Sequence, residues 1–298
     1  MCANRLLMVV ALTFAVIAVQ TRANEPWPVG MSFVALQDGK WQLFVVPPGK
    51  QRPQRVSLMH EPRTPAYSPS IGKIAYISPQ GDVLLHDLAT GRESALLEAR
   101  ADTGYTQPSF AAGKNHLLLV ELQQGRSRST RILAIDLQTG EQAVWSQQRS
   151  AQFHPLAVGD FLYYTNVHCV ENCAGRYVHE IWAKNLISQD ARQLTLLNTL
   201  TQQPAVAADG GVLYVSSEKQ GGKQIWKCAL NNEPPLSCES MTSGGVADTH
   251  PVVSTDGTVY FLRLLSDGRH AIMRAVGKAR AAAMQTEMTD IRDLEIGR

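Results

Sequence analysis

The chain lacks the sequence motifs of several large enzyme classes. No Gly-x-Ser-x-Gly segment occurs, so the nucleophile elbow of the α/β hydrolases is absent. No Gly-rich phosphate-binding loop occurs either, so phosphate or nucleotide binding has no support. Beyond the first 23 residues we find no helical periodicity of useful length and no amphipathic membrane helix. These absences favour an all-β protein without those catalytic motifs.

An excess of charge of either sign is also missing. The 298 residues include 28 basic and 26 acidic side chains. Arg5 and Arg22 lie in the first 23 residues, which contain no acid, so the rest of the chain carries 26 charges of each sign. A nucleic-acid-binding surface needs a basic stripe, and none is present. The composition therefore predicts that nucleic acid is not a partner.

The first 23 residues have the pattern of an export signal. Arg5 gives a positive start, residues 6–19 form an apolar-rich run of 14 residues, and small residues near Ala23 offer a cleavage site. The alternative is an uncleaved membrane anchor, but spanning a bilayer takes about 20 residues. The sequence predicts a signal peptide over 1–23, cleaved near Ala23, and a single mature domain over 24–298. We expect that domain to be exported, with no membrane span after cleavage.

Cysteines are few but even in number once the signal is removed. The predicted mature domain has four of them: Cys169, Cys173, Cys228 and Cys238. An even count in an exported chain points to disulfides. Three pairings are open, and proximity along the chain favours Cys169–Cys173 and Cys228–Cys238. Each of these would close a local hairpin or loop.

His168 and His179 flank the first of these cysteine pairs, which gives a cluster rich in nitrogen and sulfur donors. Thiolate and imidazole groups both suit zinc, so a metal site is one interpretation. The spacing matches no strong ligand pattern, and an oxidising compartment favours a disulfide beside two surface histidines. We therefore predict no metal and no cofactor.

A proline recurs at a nearly constant interval along the chain. Each copy follows a polar residue and precedes a turn with glycine and an apolar strand: Pro65, Pro108, Pro155, Pro204 and Pro251. The spacings of 43, 47, 49 and 47 residues match the roughly 40–50 residues of a four-stranded propeller blade. Alternating apolar and polar positions between the turns indicate strands. A β-sandwich with coincidental turns is the alternative, and the regular interval argues against it.

A partial unit precedes the first of these prolines. Residues 33–36, 41–46 and 55–58 match the second to fourth strands of a blade whose innermost strand is missing. We expect residues 288–296 to supply that strand, because a closed ring leaves no long unpaired sheet edge. Five full units and one shared unit predict a six-bladed β-propeller of four-stranded blades, closed by pairing of the N- and C-terminal segments.

The residue before each repeated proline is the main candidate for a binding role. These residues are Thr64, Gln107, His154, Gln203 and His250. We place them at the start of the innermost strands, which puts a polar ring at one mouth of the central channel. We expect this ring to line a partner-binding face. The alternative is that channel mouths are wet and therefore polar by default.

Two tryptophans, Trp182 and Trp226, occupy equivalent positions in successive units. Repeated placement predicts packing between blades rather than a stacking platform for bases or sugars. Buried aromatic side chains contribute a large share of core packing, which favours this interpretation.

The unit over residues 64–97 resembles the repeat of a known family. It contains Pro65 with an aromatic-Ser-Pro segment, a turn at Gly72, Ile-Ala-Tyr, and then Asp-Leu-x-Thr-Gly. This is similar to the WD-like repeat of the TolB-like periplasmic propellers, and weaker copies extend the resemblance over 31–298. The resemblance implies six blades, a periplasmic address and protein partners. In TolB an α/β domain precedes the propeller, and only a handful of residues separate signal and first strand here. We therefore expect a TolB-like propeller without that domain, and membership of the Tol–Pal system does not follow.

Two functions of different classes are compatible with these features. The first is a monomeric, non-catalytic module that binds an envelope or periplasmic protein. The second is a metal-dependent hydrolase or lactonase that uses the channel. A central calcium needs carboxylate and amide ligands, whereas the ring offers Thr, Gln and His, with Asp248 as the nearest acid. The sequence favours the binding module and predicts no catalytic residue.

Overall fold

The computed structural model describes residues 26–124, 129–169, 177–219, 221–243, 246–288 and 290–298. These residues form 24 strands in six four-stranded antiparallel sheets, and they contain no helix. The prediction of an all-β, six-bladed propeller is confirmed. Within the same residues nothing helical is therefore able to cross a membrane. The predicted signal peptide, residues 1–23, lies outside the described part of the chain.

Each blade has four strands that follow one another from the channel to the rim. Blade 1 contains β24 (Ile291–Ile296), β1 (Met31–Gln37), β2 (Lys40–Val45) and β3 (Gln54–Val56). Blade 2 contains β4 (Arg63–Ser68), β5 (Lys73–Ile77), β6 (Val83–Asp87) and β7 (Glu93–Leu97). Blade 3 contains β8 (Thr103–Phe110), β9 (His116–Gln123), β10 (Thr130–Asp136) and β11 (Gln142–Ser146).

The other three blades repeat this order. Blade 4 contains β12 (Ala151–Val158), β13 (Phe161–Cys169), β14 (Tyr177–Asn185) and β15 (Ala191–Gln193). Blade 5 contains β16 (Gln202–Val206), β17 (Val212–Lys219), β18 (Gly222–Ala229) and β19 (Cys238–Ser240). Blade 6 contains β20 (Asp248–Val253), β21 (Val259–Leu264), β22 (His270–Ala275) and β23 (Ala281–Ala283).

Blade 1 is assembled from two segments that are distant in sequence. β24 pairs antiparallel with β1, and Met31 lies opposite Ile296. Just beyond this pair, the amide of Gly297 donates to the carbonyl of Gly30 at 2.9 Å. The predicted closing strand within residues 288–296 is thus confirmed. Because β24 completes the sheet, β1 has no free edge facing the channel.

The Asp-Leu-x-Thr-Gly segments form turns between third and fourth strands. The carboxylate of Asp87 accepts hydrogen bonds from the amides of Ala89 and Thr90 at 3.1 and 2.9 Å, and Gly91 has a φ of 68°. The amide of Thr90 lowers the pKa of Asp87, because it stabilises the carboxylate. Asp136 accepts the equivalent bonds in blade 3. The repeated motif is therefore a local turn that needs an acceptor at its start and a glycine near its end.

Apolar side chains fill the interfaces between neighbouring blades. One cluster joins blades 3 and 4 through Ile132 and Leu162, with Trp182 packed against it. The equivalent cluster joins blades 4 and 5 through Leu213, with Trp226 packed against it. The prediction that both tryptophans pack between blades is confirmed. These interfaces hold the innermost strands at fixed positions around the channel.

Blade 5 also carries a covalent link. Cys228 of β18 lies opposite Cys238 of β19, and the two form a disulfide with an S–S distance of 2.06 Å. This predicted pair is confirmed. The second predicted pair, Cys169–Cys173, includes a residue outside the described part of the chain and stays a prediction.

Candidate functional site

Every innermost strand carries a β-bulge at the same level. In blade 2, for example, Thr64 and Pro65 of β4 together face one residue of β5, Tyr76. The first residue of each bulge has a positive φ: Thr64 (43°), Gln107 (50°), His154 (52°), Gln203 (59°), His250 (50°) and Asp293 (54°). Such angles are uncommon for residues other than glycine. We call these six residues the polar belt.

The belt contains the five predicted ring residues and one more, Asp293 of β24. Asp293 lies 43 residues after His250, the same interval that separates Thr64 from Gln107. This interval could therefore have identified Asp293 as the sixth residue of the belt. The recurring proline did not reveal Asp293, because Leu294 follows it where the other blades have proline.

The predicted position of the ring at the strand starts needs a correction. Thr64 is the second residue of β4, but Gln107 is the fifth of β8 and His154 is the fourth of β12. β8 and β12 begin farther from the bulge because their partners, β9 and β13, are longer than β5. The bulge, not the strand end, sets the common level of the belt.

Side chains of the belt accept hydrogen bonds from the backbone of neighbouring belt residues. The hydroxyl of Thr64 accepts from the amide of Gln107 at 3.2 Å. Oε1 of Gln107 accepts from the amide of His154 at 2.7 Å. The carboxylate of Asp293 accepts from the amide of Thr64. Each of these hydrogen bonds joins two blades, so the belt connects innermost strands of neighbouring blades at the centre of the propeller.

The two histidines of the belt are held by polar neighbours. Gln203 binds His250 twice: Oε1 accepts the His250 amide at 2.8 Å, and Nε2 lies 3.0 Å from His250 Nε2. Nδ1 of His250 is 3.1 Å from the hydroxyl of Thr249. These contacts match a neutral ring with its proton on Nδ1. The hydroxyl of Thr165 accepts the Gln203 amide at 3.3 Å and lies 3.1 Å from His154 Nδ1.

Both histidine rings are poor bases. Burial lowers the pKa of His154 to about 3, and the neighbouring His250 and Lys223 act in the same direction. Burial likewise lowers the pKa of His250 to about 4. The rings are therefore uncharged at neutral and mildly acidic pH. They offer hydrogen-bonding nitrogens to a ligand, and they do not offer positive charge.

The channel beyond the belt is mostly apolar. A cavity of about 170 Å³ extends from the belt along the innermost strands. Its next layer consists of the five repeated prolines and Leu294, and the layer after that includes Ser109, Leu156, Ala205, Val252 and Glu295. Burial raises the pKa of Glu295 well above its ordinary value, and the nearby Asp293 carboxyl raises it further. Glu295 is thus a buried acid in a mostly apolar layer.

Residues 297 and 298 lie at the end of the cavity opposite the belt. The guanidinium of Arg298 donates to the carbonyl of Val206 in blade 5, so its side chain crosses the channel. Gly297 has no room for a Cβ, which would overlap the carbonyl oxygen of Tyr67. Burial lowers the pKa of Arg298. We call the belt end of the channel the upper mouth and this end the lower mouth.

The upper face of the propeller is uneven. In blade 4, β13 continues for five residues past Tyr164, the residue that faces the bulge. In blade 2, β5 continues for only one residue past Tyr76. On the side of the long hairpin, Gln202 lies 2.5 Å from His179 Nδ1 and accepts from Lys223 at 3.4 Å. The upper mouth therefore has one raised, polar side.

His168 and His179 do not face each other. In the β13–β14 ladder His179 lies opposite Val167, and His168 lies opposite Val178. Since successive residues of a strand point to opposite faces, the two histidines are on different faces of the sheet. Cys173 lies outside the described residues. Among the residues that the structure describes, no three His, Cys, Asp or Glu side chains come together as a metal site.

Comparison with known proteins finds similarity in structure only. No protein-family model matches the chain, and no curated protein matches its sequence significantly. TolB from Acinetobacter baumannii superposes with a TM-score of 0.69 at 18% identity, over 89% of this chain and 65% of that one. The fold is that of the TolB propeller. The aligned part of this chain spans 65% of the length of that structure.

Other solved structures share the TolB-like fold. The putative TolB from Agrobacterium tumefaciens has a TM-score of 0.64 at 15% identity, over 86% of this chain and 87% of that one. An oligogalacturonate lyase from Vibrio parahaemolyticus has a TM-score of 0.60 at 13% identity, over 87% and 76%. The same architecture therefore occurs in TolB proteins and in an enzyme. At these identities the likeness shows the fold, and the function has to be inferred from the residues of the site.

Proposed function

We propose that this TolB-like chain is a non-catalytic binding module of the periplasm. Its partner is an envelope protein that docks on the upper face, around the belt. The observation that carries the proposal is the polar upper mouth: a ring of threonine, glutamine, uncharged histidine and aspartate side chains beside a raised hairpin. The TolB structures with the same fold support it by analogy.

The raised side of the upper face offers the mixture of groups that protein interfaces use. Tyr177 begins β14 and is 48% exposed. His179 of this hairpin and Lys223 of blade 5 both contact Gln202, the residue before the belt residue Gln203. Tyrosine is enriched at protein interfaces because it combines apolar area with a polar tip. A protein that covers the mouth would contact this rim and the belt together.

Photo-crosslinking in cells tests which face is used. A photoreactive amino acid is placed at Asp38 or Asp267, in the upper turns between second and third strands, and at Arg52 or Thr90, in the lower turns between third and fourth strands. We expect discrete protein adducts from the upper positions and none from the lower ones. Adducts from the lower positions alone would contradict the proposal.

The double substitution His154→Ala with His250→Ala tests the belt itself. We expect it to abolish the adducts from the upper face, because both rings line the mouth. His116→Ala is the matched control, since His116 begins β9 at the level of the lower turns. If the double variant folds, as judged by its thermal midpoint, and still forms every adduct, then the belt is not part of the interface.

Two further measurements separate this proposal from a metal-dependent enzyme and check the compartment. We expect elemental analysis of purified protein to give no stoichiometric divalent ion. One ion per chain that is lost in the double histidine variant would favour the enzyme. We expect cell fractionation to recover the chain in the periplasm, processed near Ala23, and recovery in the cytoplasm would contradict the proposed location.

A further inference from the structure

Glu295 has the chemistry of a ligand-binding group without a partner. Glu295 lines the cavity, and its carboxyl group takes part in no hydrogen bond or ion pair with the described residues. The same layer presents Leu156, Ala205 and Val252, which provide no cation. An acid in an apolar layer is costly to ionise unless a positive group pairs with it. The layer therefore favours a ligand that brings a cation.

Arg298 has the complementary chemistry at the lower mouth. Its guanidinium binds a single backbone carbonyl, that of Val206, and forms no ion pair with an acid in the described part of the chain. A guanidinium has five N–H donors and is best satisfied by a carboxylate that accepts two of them. This end of the cavity therefore favours a ligand that brings an anion.

Glu295 and Arg298 line the same cavity without forming an ion pair with each other. A molecule that carries a positive group at one end and a negative group at the other would satisfy both. We propose that the channel is a binding site for a small zwitterionic amino carboxylate, whose ammonium group pairs with Glu295 and whose carboxylate pairs with Arg298. This site lies inside the channel and is independent of a protein partner on the upper face.

The size and walls of the cavity limit the ligand further. A volume of about 170 Å³ is close to the roughly 150 Å³ of an engineered protein cavity that binds benzene. The ligand is therefore a small molecule, not a folded segment. Leu156 and Val252 line the cavity wall at the level of Glu295. An aliphatic part of the ligand would pack there, and the prolines and the belt would cover it from above.

Isothermal titration with a defined panel tests the proposal. The panel is leucine, 4-aminobutyrate and 6-aminohexanoate, which differ in the distance between ammonium and carboxylate. Single-charge analogues of matched length, pentylamine and hexanoate, are the comparison. We expect one zwitterion of the panel to bind with one-to-one stoichiometry, and each single-charge analogue to bind at least about tenfold more weakly. If pentylamine binds as tightly as the best zwitterion, or if no zwitterion binds at millimolar concentration, the proposal is wrong.

Two charge-removing variants locate the site. We expect Glu295→Gln and Arg298→Gln each to weaken binding of the best zwitterion at least about tenfold, because each leaves one charge of the ligand unpaired. Glu239→Gln and Arg52→Gln make the same charge changes at exposed positions away from the channel, and we expect them to bind normally. Thermal midpoints without ligand show that each variant folds. Unchanged affinity in folded Glu295→Gln would overturn the assignment.

Discussion

Blades 1 and 5 face the same channel with different chemistry. Blade 5 is one continuous segment, and its belt residue Gln203 is followed by Pro204. A disulfide links its two outer strands. Blade 1 joins two distant segments, and its belt residue Asp293 is followed by Leu294. Arg298 connects the two, because it extends from blade 1 to the carbonyl of Val206 in blade 5.

The comparison separates the repeated structure from the specialised part. The acids and the arginine that line the cavity, within the described residues, all belong to blade 1: Asp293, Glu295 and Arg298. The five continuous blades contribute neutral side chains at the equivalent levels. A feature repeated in five blades is explained by the fold, whereas a departure from the repeat in the closing blade points to function. Four substitutions in blades 1 and 5 test how the two blades differ in their contribution to stability.

The largest effect is expected at the closure of blade 1. Gly297→Ala should destabilise the protein by about 3 kcal/mol, because its Cβ would overlap the carbonyl oxygen of Tyr67. Gly113→Ala is the control in open space at a φ of 68°, with an expected cost of about 1 kcal/mol. Urea unfolding monitored by circular dichroism gives both values. Equal costs would show that the closure is not tightly packed.

The next effect concerns the covalent link of blade 5. Replacing Cys228 and Cys238 together by serine should cost about 2–3 kcal/mol, since the disulfide closes a segment with a sequence separation of 10. Comparison of urea unfolding with and without reductant gives an independent value for the wild-type protein. A double serine variant as stable as the oxidised wild type would mean that blade 5 does not depend on its link.

A similar or smaller effect is expected in the belt of blade 5. Gln203→Leu should cost about 2 kcal/mol, because it leaves the amide of His250 without the acceptor at 2.8 Å. Gln138→Leu, at an exposed turn position, should be close to neutral. Thermal unfolding of the two variants makes the comparison. A neutral Gln203→Leu would imply that water replaces the belt hydrogen bonds.

The smallest effect is a pH dependence from blade 1. The folded pKa of Glu295 lies above its ordinary value of 4.5, mainly because of burial. The fold therefore favours the protonated carboxyl, and its stabilisation is complete below the unfolded pKa and is lost as pH rises through the folded pKa. Glu295→Gln should thus gain stability relative to wild type as the pH rises above 4.5. Unfolding midpoints from mildly acidic to neutral pH measure the gain, and a constant difference would contradict it.

The repeated part of this molecule was predictable from sequence because local rules determine it. The glycine turns and the Asp-Leu-x-Thr-Gly turn at Asp87 each depend on a few neighbouring residues. The regular proline interval shows that such units repeat, and together these features define the blades. The closing strand was predictable because the first blade lacked its innermost strand and a closed ring leaves no long unpaired sheet edge. The disulfide Cys228–Cys238 followed from proximity alone.

The charged groups of the channel were not predictable in the same way. Which side chains of β24 point inward depends on its register against β1, and that register shifts at the bulge between Ser32 and Val34. A shift of one residue would turn other side chains of β24 toward the cavity in place of Asp293 and Glu295. No turn or proline marks this bulge. The interval of 43 residues from His250 to Asp293 was the one available clue.

The pairing of Met31 with Ile296 at one end of the β1–β24 ladder has a mechanical consequence. Tension applied through residues 31 and 296 would break the hydrogen bonds between β1 and β24 one after another from that end. It would not load all of them at once in shear. We expect an optical-tweezers experiment with handles at these positions to open blade 1 first and at low force. Handles at Gln37 and Ile296, on opposite ends of the same sheet, should require a higher force.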